Sequence, residues 1–233
     1  MLNVKRKMTS HILVPAAGPE DWRQFLAEPD KQWKSGFSAK TLAYCWHDAG
    51  GMPPEIVSVL EKIPSLKKLK VIFAIPEHKV PLPGGARASQ IDIWVLAESI
   101  SGLVSIAVEG KVSEPFGPTI EEWLKNKSTG KEKRLKFLCR ELDLEYPPPE
   151  KIRYQLMHRA VSAILEAKRF RAPEAVMVVH SFSKTDEWFD DYRYFLSLFE
   201  LETEPDQAVS VKLSGGMNLS LAWVHGSEEY LKY

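Results

Sequence analysis

The stretch that most constrains this fold is 90–111, where apolar and polar residues alternate with the period of two that is typical of β-strands. One face of its second half is apolar and consists of Val104, Ile106 and Val108. The opposite face ends in an acid and an ammonium two residues apart, Glu109 and Lys111. The segment 100–102 supplies a turn midway, so the stretch predicts a β-hairpin with charged side chains at one end.

An acid on the first strand of this hairpin, Asp92, has a predicted partner on the second strand. With the turn at 100–102, Asp92 lies across from Glu109, and the two Cβ atoms are about 4.5–5.5 Å apart. Two carboxylates this close repel one another unless a cation lies between them, and Mg²⁺ is typically held by one or two carboxylates. The pattern predicts a metal site formed by Asp92, Glu109 and the carbonyl oxygen of Gly110. Lys111 would orient or deprotonate an attacking water, or stabilise the charge of a phosphate.

An Asp on one strand, followed by Glu-x-Lys at the end of the next, resembles the active-site signature of the PD-(D/E)xK nuclease superfamily. The matching residues are Asp92 and Glu109-Gly110-Lys111, and the residue before Asp92 is Ile91 rather than the proline common in the superfamily. The resemblance implies a restriction-endonuclease-like fold with the core order α-β-β-β-α-β. It also implies hydrolysis of DNA phosphodiester bonds with Mg²⁺ or Mn²⁺.

The resemblance covers roughly residues 53 to 182. Segments that match the order of its core are PPEIVSVLEKI, LKVIFAIPE, QIDIWVLAES, LVSIAVEGKV, KIRYQLMHRAVSAILEA and EAVMVVHSF. LKVIFAIPE is nearly all apolar, which predicts a buried strand. Two further helices, broken near 128–130, are predicted as an insertion, and AVSVKLSGGMNLSLAWV predicts a C-terminal β-hairpin. The fold class predicted is therefore α/β (α+β), with a central mixed sheet flanked by helices.

Two regions are predicted within one globular unit. Residues 1–52 form an N-terminal helical extension packed on the core, beginning with an arm over residues 1–18 that holds one short strand. Residues 53–233 form the nuclease-like domain.

The resemblance implies two further positions in the site. Some members carry an extra acid on the first core helix, and Glu55 and Glu61 both stay open for that role. Some also carry a polar residue on the helix after the third strand, for which Gln155 is the match, with His158 close behind.

Basic residues near the hairpin and in the inserted helices are predicted to contact phosphate, namely Arg87, Lys131 and Arg134. The alternative for the inserted helices is a solvated face whose charges are balanced by neighbouring glutamates. The formal net charge is zero, with 31 basic and 31 acidic residues, which argues against a dedicated DNA-binding module. It leaves DNA and RNA both open as the nucleic acid, with DNA implied by the resemblance.

Cellular location is predicted from cysteines and hydropathy. Cys45 and Cys139 are far apart and belong to no metal-spaced cluster, as expected for reduced cysteines in an intracellular protein. No run approaches the roughly 20 apolar residues of a membrane span, and the basic N-terminus has too short an apolar run for a signal peptide. We expect a cytoplasmic protein with no membrane partner, and a homodimer stays open.

These observations predict a metal-dependent deoxyribonuclease with Asp92, Glu109, Lys111 and Gln155 in the site. One alternative is an inactive protein with the same fold that acts as an interaction or nucleic-acid-binding module. Another is an unrelated α/β protein with a surface ion pair between Glu109 and Lys111. In the enzyme, the carboxylates of Asp92 and Glu109 must lie within reach of one metal ion in a cleft.

Overall fold

A six-stranded mixed β-sheet organises the protein in a computed structural model that describes residues 11–233. Its strands are β1 (Lys70–Val80), β2 (Ser89–Ser99), β3 (Gly102–Lys111), β4 (Glu174–Ser181), β5 (Gln207–Lys212) and β6 (Asn218–His225). Their order across the sheet is β1-β2-β3-β4-β6-β5. The pairs β1–β2, β2–β3 and β5–β6 are antiparallel, while β3–β4 and β4–β6 are parallel.

Seven α-helices occur within the described residues. They are α1 (Pro29–Gln32), α2 (Ser38–Ala49), α3 (Pro54–Leu60), α4 (Ile120–Leu124), α5 (Thr129–Glu141), α6 (Tyr154–Phe170) and α7 (Phe189–Ser197). Three short 3₁₀-helices span Pro19–Phe25, Pro64–Leu66 and Glu228–Lys232. The first of these 3₁₀-helices, α1 and α2 lie within residues 1–52, where the sequence predicts a helical extension.

Helices cover both faces of the sheet, as the fold prediction required. One face packs against α5, α6 and α7 through buried residues that include Leu138, Leu156, Phe195, Ala107 and Met177. The other face packs against α2 and α3 through residues that include Trp46, Ile56, Ile106 and Val178. Because strand residues alternate between the faces, β3 and β4 contribute to both cores.

The elements follow the predicted order, from α3 through β1, β2, β3 and α6 to β4, with α4 and α5 inserted after β3 and a hairpin formed by β5 and β6. Ser128 caps α5 by accepting a hydrogen bond from the N–H of Lys131, which explains the predicted break between the inserted helices. In the predicted N-terminal arm, Ile12 bridges Ala74 of β1 in parallel. The rest of that arm's beginning, residues 1–10, lies outside the described residues.

Strand β1 corrects one prediction, because it is an edge strand rather than a buried one. Its residues alternate between exposed and partly buried over its first half. An edge position explains why Pro76 is tolerated, since proline has no N–H to donate to a second neighbour. A bulge between Val71 and Phe73 shifts the pairing with β2, and Glu77 has a positive φ of 55°.

The hairpin of β2 and β3 forms as the alternation predicted. Its loop is Ile100–Ser101, with Ser99 paired to Gly102. Gly102 has a φ of +113°, a conformation that favours glycine. From there the pairing runs without a break to Ile93 opposite Val108.

Both cysteines, Cys45 and Cys139, are free and buried. No helix over residues 11–233 has the length and apolar character needed to cross a membrane.

Candidate functional site

Three acids lie in one row across β1, β2 and β3. The register of β2 and β3, continued by one residue beyond Ile93 and Val108, places Asp92 opposite Glu109. On the other side, the pairs that flank Glu77 in β1 place it opposite Asp92. Opposed residues of an antiparallel pair share a face, so the fold brings these carboxylates together at one end of the sheet.

A guanidinium from α6 lies between two of these acids. Arg159 donates from Nε to Oε2 of Glu109 in a short, buried ion pair. Its Nη2 lies 3.4 Å from Oδ1 of Asp92. The cation that the sequence pattern demanded between Asp92 and Glu109 is, in this structure, the side chain of Arg159.

Lys111 and Gln155 complete a network around the carboxylate of Glu109. Nζ of Lys111 donates to Oε1 of Glu109 at 2.8 Å and to Oε1 of Gln155 at 3.2 Å. Nε2 of Gln155 donates to the same Glu109 oxygen at 2.6 Å. Nζ of Lys111 also lies 5.0 Å from the centre of the Phe116 ring. The amide of Gln155 thus fixes both the acid and the ammonium that lie next to each other on β3.

Asp92 is held by the backbone of the neighbouring strand. The N–H of Gly110 donates to its Oδ2 at 2.9 Å. The contact that Gly110 makes with the acids is therefore through its N–H, whereas the sequence prediction invoked its carbonyl oxygen as a metal ligand. A side chain at Gly110 would approach Leu42 of α2 to 3.1 Å, so glycine also permits close packing of α2 here.

The surroundings shift the pKa values of the three acids in opposite directions. Burial raises the pKa of Asp92 to about 7, and the charge of Glu109 adds to this effect. Burial and the charge of Asp92 raise the pKa of Glu77 to about 8. Burial also opposes ionisation of Glu109, but the charges of Arg159 and Lys111 outweigh it and lower its pKa to about 2. The surroundings therefore favour the ionised form of Glu109 and the protonated forms of Asp92 and Glu77.

Ser89 and His158 hold the guanidinium of Arg159 in place on the side away from the acids. Its Nη1 donates to Oγ of Ser89 at 3.1 Å, and that hydroxyl lies 2.9 Å from Nδ1 of His158. Burial and the charge of Arg159 lower the pKa of His158 well below its ordinary value, so the ring is neutral. The hydroxyl of Ser89 can then donate to Nδ1 while it accepts from Arg159.

The site lines a cavity of about 970 Å³. One wall is formed by the acids, Lys111, Gln155 and Arg159. The other comes from the N-terminal segment, including Trp22, Trp33 and Phe37, and from the loop before α4. The exposed fractions of the Lys111 and Glu109 side chains are only 5% and 4%, so the reactive groups lie at the inner end.

The three predicted phosphate-binding residues occupy different places. Arg87 is exposed and lines the cavity. Arg134 also lines it, but its guanidinium donates to the backbone carbonyls of Leu82, Pro83 and Gly85. Lys131 is not among the cavity residues, and its Nζ donates to the carbonyl of Trp123 at 2.6 Å. Of the three, Arg87 alone presents a charge without a hydrogen bond described in the structure.

Neither Glu55 in α3 nor Glu61 at the C-terminus of α3 reaches this site. Glu55 lies 3.3 Å from His180 on the opposite face of the sheet. Oε1 of Glu61 accepts from the N–H of Leu69. The third acid of the cluster is instead Glu77, from β1.

A family model described as a domain of unknown function, DUF6946, matches residues 15–228. The chain belongs to the DUF6946 family. No curated protein and no solved structure matches it. The matched range in this DUF6946 chain includes every element that contributes to the site, from the N-terminal wall to α6.

The donor set of the DUF6946 site fits a hard divalent cation. Glu77, Asp92 and Glu109 offer carboxylate oxygens, the ligands that Mg²⁺ and Mn²⁺ prefer. One guanidinium contacts both Asp92 and Glu109, through two different nitrogens. The raised pKa values of Asp92 and Glu77 reflect burial and mutual repulsion, and a divalent cation would relieve that repulsion.

A second group of potential metal ligands lies on the opposite face of the DUF6946 sheet. Ligand atoms of Cys45, Glu55 and His180 lie within 4.8 Å of one another. The indole N–H of Trp46 donates to Nδ1 of His180 at 3.3 Å, which leaves the imidazole proton on Nε2, the atom facing Glu55. A metal at Nε2 would have to displace this proton and break the contact with Trp46. Among the described residues, Glu77, Asp92 and Glu109 do not form a group of three ligand atoms within that 4.8 Å distance.

Glu77 and Arg159 are site residues of this DUF6946 chain that the sequence did not predict. Glu77 directly follows a proline, and the irregular loop between β1 and β2 left their register undetermined. Arg159 had a usable signal, because it lies one helical turn after Gln155 and so shares its face. An arginine on the face of α6 that packs on a sheet with two acids is expected to pair with them.

Proposed function

We propose that this protein is a metal-dependent nuclease that hydrolyses phosphodiester bonds in DNA. The observation that carries the proposal is the convergence of Asp92, Glu109, Lys111 and Gln155 on one wall of a cavity. A surface ion pair in an unrelated fold does not account for it, because Glu109 and Lys111 are almost completely buried.

Asp92 and Glu109 would hold the metal, with Glu77 as a further oxygen donor. Bound there, Mg²⁺ or Mn²⁺ would lower the pKa of a water ligand and neutralise charge on the phosphate. Asp92 and Glu77 bind it in their ionised forms, and their raised pKa values make this binding dependent on pH.

The ammonium of Lys111 would stabilise the negative charge that develops on the phosphate or orient the attacking water. Its contacts with Glu109 and Gln155 hold Nζ at the inner end of the cavity before any substrate enters. Such preorganised charges are a large source of rate enhancement. Gln155 contacts no reacting atom in this scheme and is a positioning residue.

Arg159 keeps Glu109 ionised and holds it in place from the side of α6. Its Nη2 contact with Asp92 is long, at 3.4 Å, so this is the contact that metal binding would replace. The pair with Glu109 is short and would persist.

One observation favours a second candidate, an inactive protein with the same fold that serves as an interaction or nucleic-acid-binding module. Arg159 already supplies a positive charge between Asp92 and Glu109. If the guanidinium does not yield, no metal enters, and the cavity binds without cutting. A cytoplasmic location belongs to both versions of the proposal, and a homodimer remains compatible with both.

The test combines metal binding with cleavage. Mn²⁺ is titrated calorimetrically into the wild type, Asp92→Asn and Lys133→Met, and DNA cleavage with Mg²⁺ or Mn²⁺ is measured for all three. Lys133 is exposed and lies outside the cavity, so it serves as the control. We expect the wild type and Lys133→Met to bind metal and cut, and Asp92→Asn to do neither. Metal binding without cleavage, or no metal binding at all, would favour the inactive module.

A further inference from the structure

Glu109 and Lys111 lie at the buried end of the cavity. Its outer wall is contributed by the N-terminal segment and the loop before α4, through residues that include Trp22, Leu26, Trp33, Phe37 and Phe116. Asp92 retains 24% of its side-chain exposure, whereas Glu109 and Lys111 retain about 5% or less. Substrate must therefore enter the cavity before its phosphate meets these groups.

Burial of the reactive groups limits what can reach them. The cavity has a volume of about 970 Å³. Glu109 and Lys111 are almost completely shielded from solvent, so a phosphate meets them only from inside the cavity. An unpaired strand can turn a single nucleotide inward to reach them, whereas a phosphate of an intact duplex is held on the outside of the double helix.

The cavity is lined by aromatic side chains of the kind on which unpaired bases stack. Six aromatic residues line the cavity: Trp22, Trp33, Phe37, Phe116, Trp123 and Tyr154. The Trp123 and Tyr154 rings stack on each other with centroids 4.2 Å apart, which gives a rigid platform. Stacking of a base on an aromatic side chain contributes about 1–3 kcal/mol and requires a base that is out of the duplex.

One hydrogen-bond donor on the outer wall lacks a partner among residues 11–233. The indole nitrogen of Trp22 is buried and makes no hydrogen bond with any residue that the structure describes, although the side chain lines the cavity. Buried indole N–H groups normally find an acceptor. A base or sugar oxygen inside the cavity would supply one.

The lining also carries basic side chains that are open to solvent. Lys31, Lys79 and Arg87 are exposed and line the cavity. Cations in these positions contact the phosphates of a strand that continues out of the cavity, in the arrangement that proteins use to track a single-stranded backbone.

We infer that the cavity takes single-stranded DNA and excludes the duplex. This inference rests on the proposed function, since it names the substrate class of the same site. A duplex would be attacked only where a single-stranded end or overhang can enter.

Binding and cleavage are measured separately on DNAs of one sequence: a single strand, a blunt duplex and a duplex with an overhang. Binding is followed by fluorescence anisotropy in EDTA, and cleavage is followed with Mn²⁺. We expect the single strand and the overhang to bind at least tenfold more tightly than the blunt duplex and to be cut within the unpaired part. Trp123→Leu should weaken single-strand binding about tenfold. Trp188→Leu, a tryptophan outside the cavity, should leave it unchanged.

The outcomes separate the two ideas. Equal binding and cleavage of the blunt duplex and the single strand would overturn the inference and leave the nuclease proposal intact. Preferential binding of the single strand without cleavage under Mg²⁺ or Mn²⁺ would support the inference and defeat the nuclease proposal. Failure to bind any of the three DNAs, or an equal effect of Trp123→Leu and Trp188→Leu, would overturn the inference.

Discussion

Nζ of Lys111 lies 2.8 Å from Oε1 of Glu109, and both side chains are shielded from solvent. Two residues apart on one strand, they share a face by the geometry of the strand itself. A buried ion pair is expensive to form unless further hydrogen bonds satisfy both partners, and Gln155 and Arg159 provide these bonds. A charged pair at the inner end of a cavity lowers the stability of the fold. Such an arrangement is typical of a functional site.

Removing the ammonium should abolish most of the activity. We expect Lys111→Met to lower the rate of DNA cleavage about 100-fold or more, the usual effect of losing one preorganised donor to a transition state. Lys133→Met is the matched control, because Lys133 is exposed and lies outside the cavity. Equal rates for the two variants would show that Lys111 has no part in the reaction.

Removing the guanidinium of Arg159 should destabilise the fold. Arg159→Leu leaves Glu109 buried with one cation fewer, and breaking a buried pair of this kind costs about 3–5 kcal/mol of unfolding free energy. Arg193→Leu removes an exposed arginine of α7 whose partner Asp190 is also exposed, and it should cost less than about 1 kcal/mol. Urea unfolding with EDTA present measures both. Similar losses in the two variants would contradict the buried pairing.

Stability should depend on pH through Asp92 and Glu77. Their pKa values are about 7 and about 8 in the folded chain and lower in the unfolded chain, so the folded state binds more protons between these limits. The unfolding free energy without metal should therefore fall as pH rises from about 5 to 8. Asp92→Asn should flatten this decline, whereas Asp190→Asn, at an exposed acid, should not. A wild-type curve that rises over this range would refute the assignment.

The same protonation predicts how metal affinity responds to pH. Mn²⁺ binds the ionised carboxylates, so its affinity should increase as pH rises through about 7 and 8 and then level off. Calorimetric titrations across this range measure the affinity. Affinity that is constant between pH 6 and pH 9 would place the metal away from Asp92 and Glu77.

A backbone contact should make Gly84 intolerant of a side chain. Gly84 has a φ of +84°, and an added Cβ would lie 2.1 Å from the carbonyl oxygen of Gly130 at the start of α5. Gly216 has the same φ of +84° with open space around it, so Gly216→Ala reports the conformational cost alone, about 1–2 kcal/mol. Gly84→Ala should cost about 1–3 kcal/mol more, because the loop that Arg134 anchors must move. Equal melting temperatures for the two variants would exclude the clash.

The hairpin was predictable because its signal is local. Alternation with a period of two fixed the facing of Glu109 and Lys111, and the position of the turn fixed the partner of Asp92. Both quantities depend on residues within one continuous stretch. The helices that flank the sheet were predictable for the same reason, since their apolar stripes lie within single segments.

The site features that could not be predicted from the sequence depend on how distant segments of the chain align with one another. Glu77 enters the row only through the pairing of β1 with β2, which includes a bulge between Val71 and Phe73. The side on which Glu55 lies depends on how α3 crosses the sheet, and no local pattern reports that choice. LKVIFAIPE was expected to be buried from its apolar content, yet β1 is an edge strand in which partial burial suffices.

The position of its strand in the sheet determines how many neighbouring strands bond to the backbone of each acid. Glu109 belongs to β3, which has ladders on both sides, whereas Glu77 belongs to β1, which has a continuous ladder on one side only. Amide protons near Glu77 should therefore exchange with solvent before those near Glu109. The row of acids therefore joins one residue whose backbone is held on both sides to one whose backbone is held by a continuous ladder on one side only.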